Sequence, residues 1–283
     1  MDDPVRKPQT GGMRRIALAT GVELAVHEHG EGVPVLLLHA WGETHRTFDR
    51  LLPLLPDTMH LVVPDQRGVG QSSKPADGYT LLDGAADMTA LLDALEIDTC
   101  WLIGTSSGGY LAQQLALEHP ARVRGMALVG SPSNLQGPLS PAFSESLSSF
   151  HDPVTRADVD ALQGALPLHS PVPGSFVEDQ MRAALSIPRH SWLASVDGLV
   201  RAVPPIDRGR IGVRTLILWG GEEDVLPISQ AGELLTAIED SQIVVYEGTG
   251  HLVLWEQPQR VAKDVTAFIM GNERPDRSEV GTP

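Results

Sequence analysis

Short apolar runs alternate along this 283-residue chain with longer stretches in which apolar positions recur every three or four residues. The runs lie at 15–19, 23–27, 34–39, 61–64, 100–104, 123–130, 213–220 and 242–247. The first two flank Gly21 and predict a hairpin. The others, such as Pro-Val-Leu-Leu-Leu-His at 34–39, are apolar on both faces, as parallel strands covered by helices on each side must be. Between them, 80–95 carries Leu81, Ala85, Met88, Leu91, Leu92 and Leu95 at helical spacing, and 107–118, 229–238 and 258–270 are similar. Strands alternating with helices predict the α/β class: a mostly parallel, twisted sheet with helices on both faces. Active sites of such sheets lie beyond the carboxyl ends of the strands.

One segment breaks the alternation. From 133 to 206 no buried strand is legible, prolines recur, and 143–150, 154–162, 176–187 and 192–203 read as short helices. A structureless loop of that length does not belong in a compact domain. The expectation is a helical cap at 133–206, inserted into a core domain formed by 13–132 and 207–270. Residues 1–12 and 271–283 are polar and without periodicity, and read as flexible tails.

Composition narrows the function. The formal net charge of −15 repels nucleic acids and anionic membrane surfaces. The single cysteine, Cys100, excludes an intramolecular disulfide and a thiolate metal cluster, and its apolar neighbours predict a buried strand thiol. The start Met-Asp-Asp-Pro lacks the basic-then-apolar pattern of a signal peptide, and no apolar stretch reaches the length that spans a bilayer. A cytoplasmic protein acting on a small molecule, with no metal and no organic cofactor, is expected; its oligomeric state is not legible.

The strongest chemical signal is Gly104-Thr105-Ser106-Ser107-Gly108-Gly109, a G-x-S-x-G pattern that follows an apolar strand and opens a helical stretch. A sharp strand-to-helix turn of this kind needs small flanking residues and pushes the serine hydroxyl out above the sheet. Ser106 is the candidate nucleophile. Ser107 is its rival, disfavoured because Thr105 would then occupy the small position two residues before it. A serine hydroxyl needs a base. His251 follows the last apolar run through a flexible Glu-Gly-Thr-Gly loop and falls at the same sheet edge; His27, His29, His119, His151, His169 and His190 are less suitably placed. The base needs an orienting carboxylate, and Gly220-Gly221-Glu222-Glu223-Asp224-Val225-Leu226-Pro227 offers three after the strand at 213–220. Asp224 is the candidate, with Glu222 and Glu223 as rivals. The serine, acid, histidine order suits a hydrolytic triad. Backbone N–H groups of Ser107 and of Trp41, in the turn after the strand at 34–39, are the candidate donors to an oxyanion.

These residues resemble the α/β-hydrolase superfamily, specifically small capped serine hydrolases. His39-Ala40-Trp41 is similar to the family's H-G-x loop, with Ala40 in place of glycine, and Phe48 stands where members often carry Trp. Asp65-Gln66-Arg67-Gly68-Val69-Gly70-Gln71-Ser72 is similar to its D-x-R-G-x-G-x-S structural loop. Members that use an aspartate nucleophile, the epoxide hydrolases and haloalkane dehalogenases, are excluded by Ser106. Those that hydrolyse C–C bonds of ring-fission products usually show a Gly- and Pro-rich loop where this chain has Trp-Gly-Glu-Thr-His at 41–45. The resemblance implies hydrolysis of a carboxylic ester or lactone of a small, mainly apolar substrate through an acyl-enzyme. C–C hydrolysis or cofactor-free perhydrolysis on the same triad is the alternative, and a small-molecule receptor on a hydrolase fold is the alternative of another class.

Overall fold

The computed structural model describes residues 12–163 and 166–273. In chain order these form β1 (Arg14–Ala17), β2 (Glu23–His29), β3 (Val33–Leu38), β4 (Met59–Pro64), α1 (Leu81–Ala94), β5 (Cys100–Thr105), α2 (Ser107–Glu118) and β6 (Val123–Val129). Five helices follow, α3 (Pro141–Ser148), α4 (Arg156–Gln163), α5 (Gly174–Leu185), α6 (Arg189–Arg201) and α7 (Pro205–Arg208). The chain then closes with β7 (Arg214–Gly220), α8 (Ser229–Ala237), β8 (Ser241–Tyr246), α9 (Val253–Glu256) and α10 (Pro258–Asn272).

The eight strands form one sheet in the order β1-β2-β4-β3-β5-β6-β7-β8. The predicted hairpin is present: β1 and β2 pair antiparallel, β2 pairs antiparallel with β4, and every other neighbouring pair is parallel. Alternate residues of the central strands feed two cores. Leu36, Leu38, Leu102, Ile217 and Trp219 face α1, α2 and α8. Val35, Leu37, Ile103, Leu216 and Leu218 face α10 and the turn around Phe48. This double burial explains the continuous apolar runs, since neither face of a covered parallel strand meets water. The run at 242–247 departs from that pattern. As β8 it is the edge strand, and Gln242 and Val245 are exposed.

Local signals set the helix ends. Thr80 caps α1 through a reciprocal pair of bonds with Asp83, which stabilises by about 1 kcal/mol. Of the five helices between β6 and β7, α3 to α6 start two or three residues before or after the apolar positions that predicted them, because caps and prolines set their first turns, and α7 has no counterpart in the sequence reading. Pro141 is the first residue of α3, capped by Ser140, while Pro173 and Pro188 sit just before α5 and α6. This helical cap has its own apolar cluster, in which Leu147, Val159, Met181, Trp192 and Val196 pack with Val69 of the core. The polar pattern from 271 onward hid the end of α10, which runs to Asn272; the other tail residues lie outside the described residues, Gly12 and Glu273 excepted.

β3 lies between β4 and β5, so the chain leaves it to one side and later returns on the other. A crevice opens at the carboxyl ends of strands at such a reversal. His39, the first residue beyond β3, fixes the loop there. Its Nε2 accepts the Gln66 N–H at 3.0 Å, so its proton is on Nδ1, which donates to the Ala40 carbonyl at 2.8 Å. Protonating Nε2 would set a donor against a donor. Burial also pushes the His39 imidazole down to about 4. The unfolded chain takes up this proton near 6.5, so between 6.5 and 4 it binds more protons than the native state. Stability therefore falls as pH drops through this window. Urea unfolding at pH 7.5 and pH 4.5 is expected to show a loss that His39→Gln reduces by about 2–3 kcal/mol. An equal loss in both proteins would move the acid sensitivity elsewhere.

Candidate active site

Four loops meet at the crevice: those after β3, β5, β7 and β8. Ser106 follows β5 directly, with φ +46° and ψ −122°. A non-glycine residue in this region costs roughly 1–3 kcal/mol and persists only where its surroundings enforce it. Its N–H donates to Val129 O of β6 at 2.9 Å, and its carbonyl accepts the Gly109 N–H at 2.9 Å. The flanking glycines are required by space. A Cβ on Gly104 would lie 2.5 Å from Gly109 Cα, and one on Gly108 would lie 2.1 Å from Leu38 O.

His251 Nε2 lies 3.1 Å from Ser106 Oγ. Its Nδ1 lies 2.8 Å from an oxygen of Glu223, not of Asp224. The expected acid is thus displaced by one residue. Beyond β7 the chain stays paired with the histidine loop: Gly221 N–H donates to Tyr246 O and Glu222 N–H to Thr249 O, both at 2.9 Å. From this anchored position Glu223 turns inward, and its side chain is 2% exposed. Its second oxygen accepts the N–H groups of Val225 and Leu226 at 2.8 and 3.0 Å. Asp224 points the other way. Its carboxylate is 54% exposed and lies 2.9 Å from Nε2 of His169 in the cap. Both residues were legible as candidates, but nothing in three consecutive carboxylates tells which one turns inward.

The expected oxyanion donors are adjacent. The Trp41 N–H donates to the Ser107 hydroxyl at 2.7 Å, so the rival serine sits beside the donor loop. The Trp41 indole donates to Trp192 O and Ser195 Oγ of α6 at 3.2 and 3.1 Å, tying the loop to the cap. Behind the loop, Asp65 accepts the N–H groups of His45 and Gln71, each at 2.9 Å, which links it to the Asp65–Ser72 turn.

Sequence reading missed two residues. Glu256 of α9 holds the histidine loop to the cap, accepting the N–H groups of Gly250, His169 and Ser170. Glu43 accepts the Ala40 N–H at 3.0 Å and a bond from Thr47. Burial pushes its carboxyl up to about 7. A lone Glu in a polar loop carries no pattern that announces burial.

Ser106, His251 and Glu43 line a cavity of about 760 Å³. Its other walls are mostly cap residues such as Leu139, Phe143, Val159, Leu162 and Val196. Among the described residues lining it, Glu43 and Asp224 are the only acids, and no Lys or Arg is present. The described residues contain no group of three or more His, Cys, Asp or Glu placed to hold a metal, and no described helix is long and apolar enough to cross a membrane.

Residues 33–172 match the family described as alpha/beta hydrolase fold. The chain is 28% identical to 2-hydroxymuconate semialdehyde hydrolase of Pseudomonas sp. (strain CF600), over 95% of its own length and 97% of the relative's. It is 27% identical to monoacylglycerol lipase ABHD6 of Rattus norvegicus, over 88% of this chain and 79% of the lipase. A solved structure described as "Est816 as an N-Acyl homoserine lactone degrading enzyme" superposes with a TM-score of 0.76 at 27% identity, covering 91% of this chain and 99% of that one. The fold, with its inserted helical cap, and the likeness along nearly the whole chain make this protein a member of the α/β-hydrolase superfamily. It is a hydrolase.

Proposed function

We propose that the protein hydrolyses a carboxylic ester or lactone of an uncharged, mainly apolar substrate through an acyl-enzyme on Ser106. One observation carries the reading: the Ser106, His251 and Glu223 side chains are linked in sequence by hydrogen bonds at the floor of an apolar cavity that has no Lys or Arg among its described lining. Ser106 Oγ attacks the carbonyl carbon while His251 Nε2 takes its proton. Glu223 holds the Nδ1–H tautomer and stabilises the imidazolium without taking the proton. The N–H groups of Ser107 and Trp41 stabilise the oxyanion, the latter once the Ser107 hydroxyl rotates away. Collapse breaks the carbon–oxygen bond of the leaving alcohol, which receives its proton from His251. Water then adds to the acyl group by the reverse proton route, and Ser106 is released. The cap selects the acyl or alcohol part by apolar contact.

C–C hydrolysis is the second reading, favoured by the relative named as 2-hydroxymuconate semialdehyde hydrolase. That compound carries a carboxylate. In this cavity such an anion would meet Glu43 and Asp224 and, among the described lining, no Lys or Arg. A carboxylate stripped of water without a cationic partner is unfavourable by several kcal/mol. Proton release in a pH-stat over neutral esters, lactones and an anionic ring-fission dienoate separates the two readings. The neutral esters or lactones are expected to give kcat/KM at least about 100-fold above the dienoate, a difference of about 2.7 kcal/mol. Preference for the dienoate would replace the ester reading with C–C hydrolysis.

A further inference from the structure

We propose that Glu43 positions the water that attacks the acyl-enzyme, by accepting the hydrogen bond of the water proton that His251 does not take. This rests on the acyl-enzyme reading above. A water molecule attacking the acyl carbon has two O–H groups. One proton passes to His251 Nε2 as the new carbon–oxygen bond forms; when the bond to Ser106 Oγ breaks, that proton returns to Oγ. The second O–H stays with the product acid. In an apolar cavity it needs an acceptor throughout, since a buried polar group left unpaired loses the hydrogen bond that water gave it.

The acids on the cavity wall are Glu43 and Asp224, and Asp224 is engaged with His169 at the cap. Glu43 lies on the loop that carries the Trp41 donor and is close enough to His251 for their charges to interact. Its orientation is built in. The Ala40 N–H holds one oxygen at 3.0 Å. The Trp255 indole N–H donates to Thr47 Oγ1 at 2.8 Å, and this leaves the Thr47 hydroxyl free to donate to Glu43. These two bonds hold the carboxylate in place on the cavity wall. Its elevation to about 7 by burial, against attraction from His251, means that the acceptor is gained as pH rises through neutrality.

An alcohol separates this role from a structural one, because it has a single O–H and needs only His251. With p-nitrophenyl butyrate and methanol, wild type is expected to divide the acyl group between butyrate and methyl butyrate. In Glu43→Gln, the amide oxygen takes the Ala40 N–H and the NH₂ group faces the water as a donor. Hydrolysis is then expected to slow by about 10- to 100-fold, the scale of a misplaced reactant, while methanolysis and the p-nitrophenol burst change less than threefold. The product ratio shifts toward methyl butyrate by about tenfold or more and does not depend on the fraction of folded enzyme. An unchanged ratio would overturn the role of Glu43 alone. No burst and no methyl ester from wild type, with any ester tested, would remove the acyl-enzyme reading and this inference with it.

Discussion

Ser106→Ala is expected to lower kcat by about 10⁶-fold, the loss seen when the nucleophile of a serine triad is removed, and to leave thermal stability nearly unchanged. The two halves of this expectation have different origins. Removing Oγ takes away the atom that forms the covalent bond, so no rearrangement of His251 or Glu223 compensates. Folding loses only the 3.1 Å contact to His251, worth about 1 kcal/mol, because the strained backbone at Ser106 is set by Gly104, Gly108 and the bond to Val129 O, which alanine keeps. Mass analysis during turnover of a chromogenic ester checks the chemistry: wild type gains the acyl mass on the peptide containing Ser106, and the variant gains none. Ser107→Ala is the control. Its hydroxyl contacts Trp41 N–H rather than His251, and an acylated Ser106 is expected to persist in that variant. Full activity in Ser106→Ala with adduct on Ser107 would exchange their roles.

The elements that were legible in the sequence are those whose apolar pattern is forced by burial on both sides. Strands β3, β5 and β7 could only be read as covered strands, and their order with the helices between them fixes the crevice where the loops meet. The edge strand β8 was read as equally buried because Ile243, Val244 and Val245 form an apolar run; which strand lies at the edge is a property of topology that local pattern does not carry. Ser106 was legible for a steric reason. The glycines on either side of it are demanded by contacts of 2.1–2.7 Å that any side chain would make, so the chemistry leaves a mark on the neighbours as well as on itself. His251 had only a loop position to recommend it, and pairing across 145 residues brings it to Ser106. Glu43 and Glu256 left no such mark. Their carboxylates are held by backbone N–H groups of Ala40 and Gly250 and of the cap, partners that exist for any sequence and come near only once the loops are folded.

Glu223→Gln is expected to lower kcat by about 10³- to 10⁴-fold, while Asp224→Asn costs less than about fivefold. The first figure is the scale found when a triad acid is replaced by its amide with geometry retained. Here the surrounding bonds dictate which way the amide lies. The N–H groups of Val225 and Leu226 both donate to Glu223 Oε1, so the amide oxygen of the introduced glutamine must stay with them and its NH₂ group must face His251 Nδ1. Nδ1 then accepts instead of donating, the ring proton moves to Nε2, and the nitrogen facing Ser106 Oγ can no longer take a proton. The imidazolium formed during attack also loses its buried anion. Asp224→Asn touches none of this. It weakens an exposed pair with His169 at the cap, of a kind worth about 0.2–1 kcal/mol, and its effect is expected in KM through the cap rather than in the chemical step. Steady-state kinetics of both variants on one ester, with near-ultraviolet circular dichroism to verify folding, decide the assignment. A large loss in Asp224→Asn with a small one in Glu223→Gln would require the 221–227 loop to turn by one residue during catalysis, breaking the bonds to Val225 and Leu226 that now hold Glu223 in place.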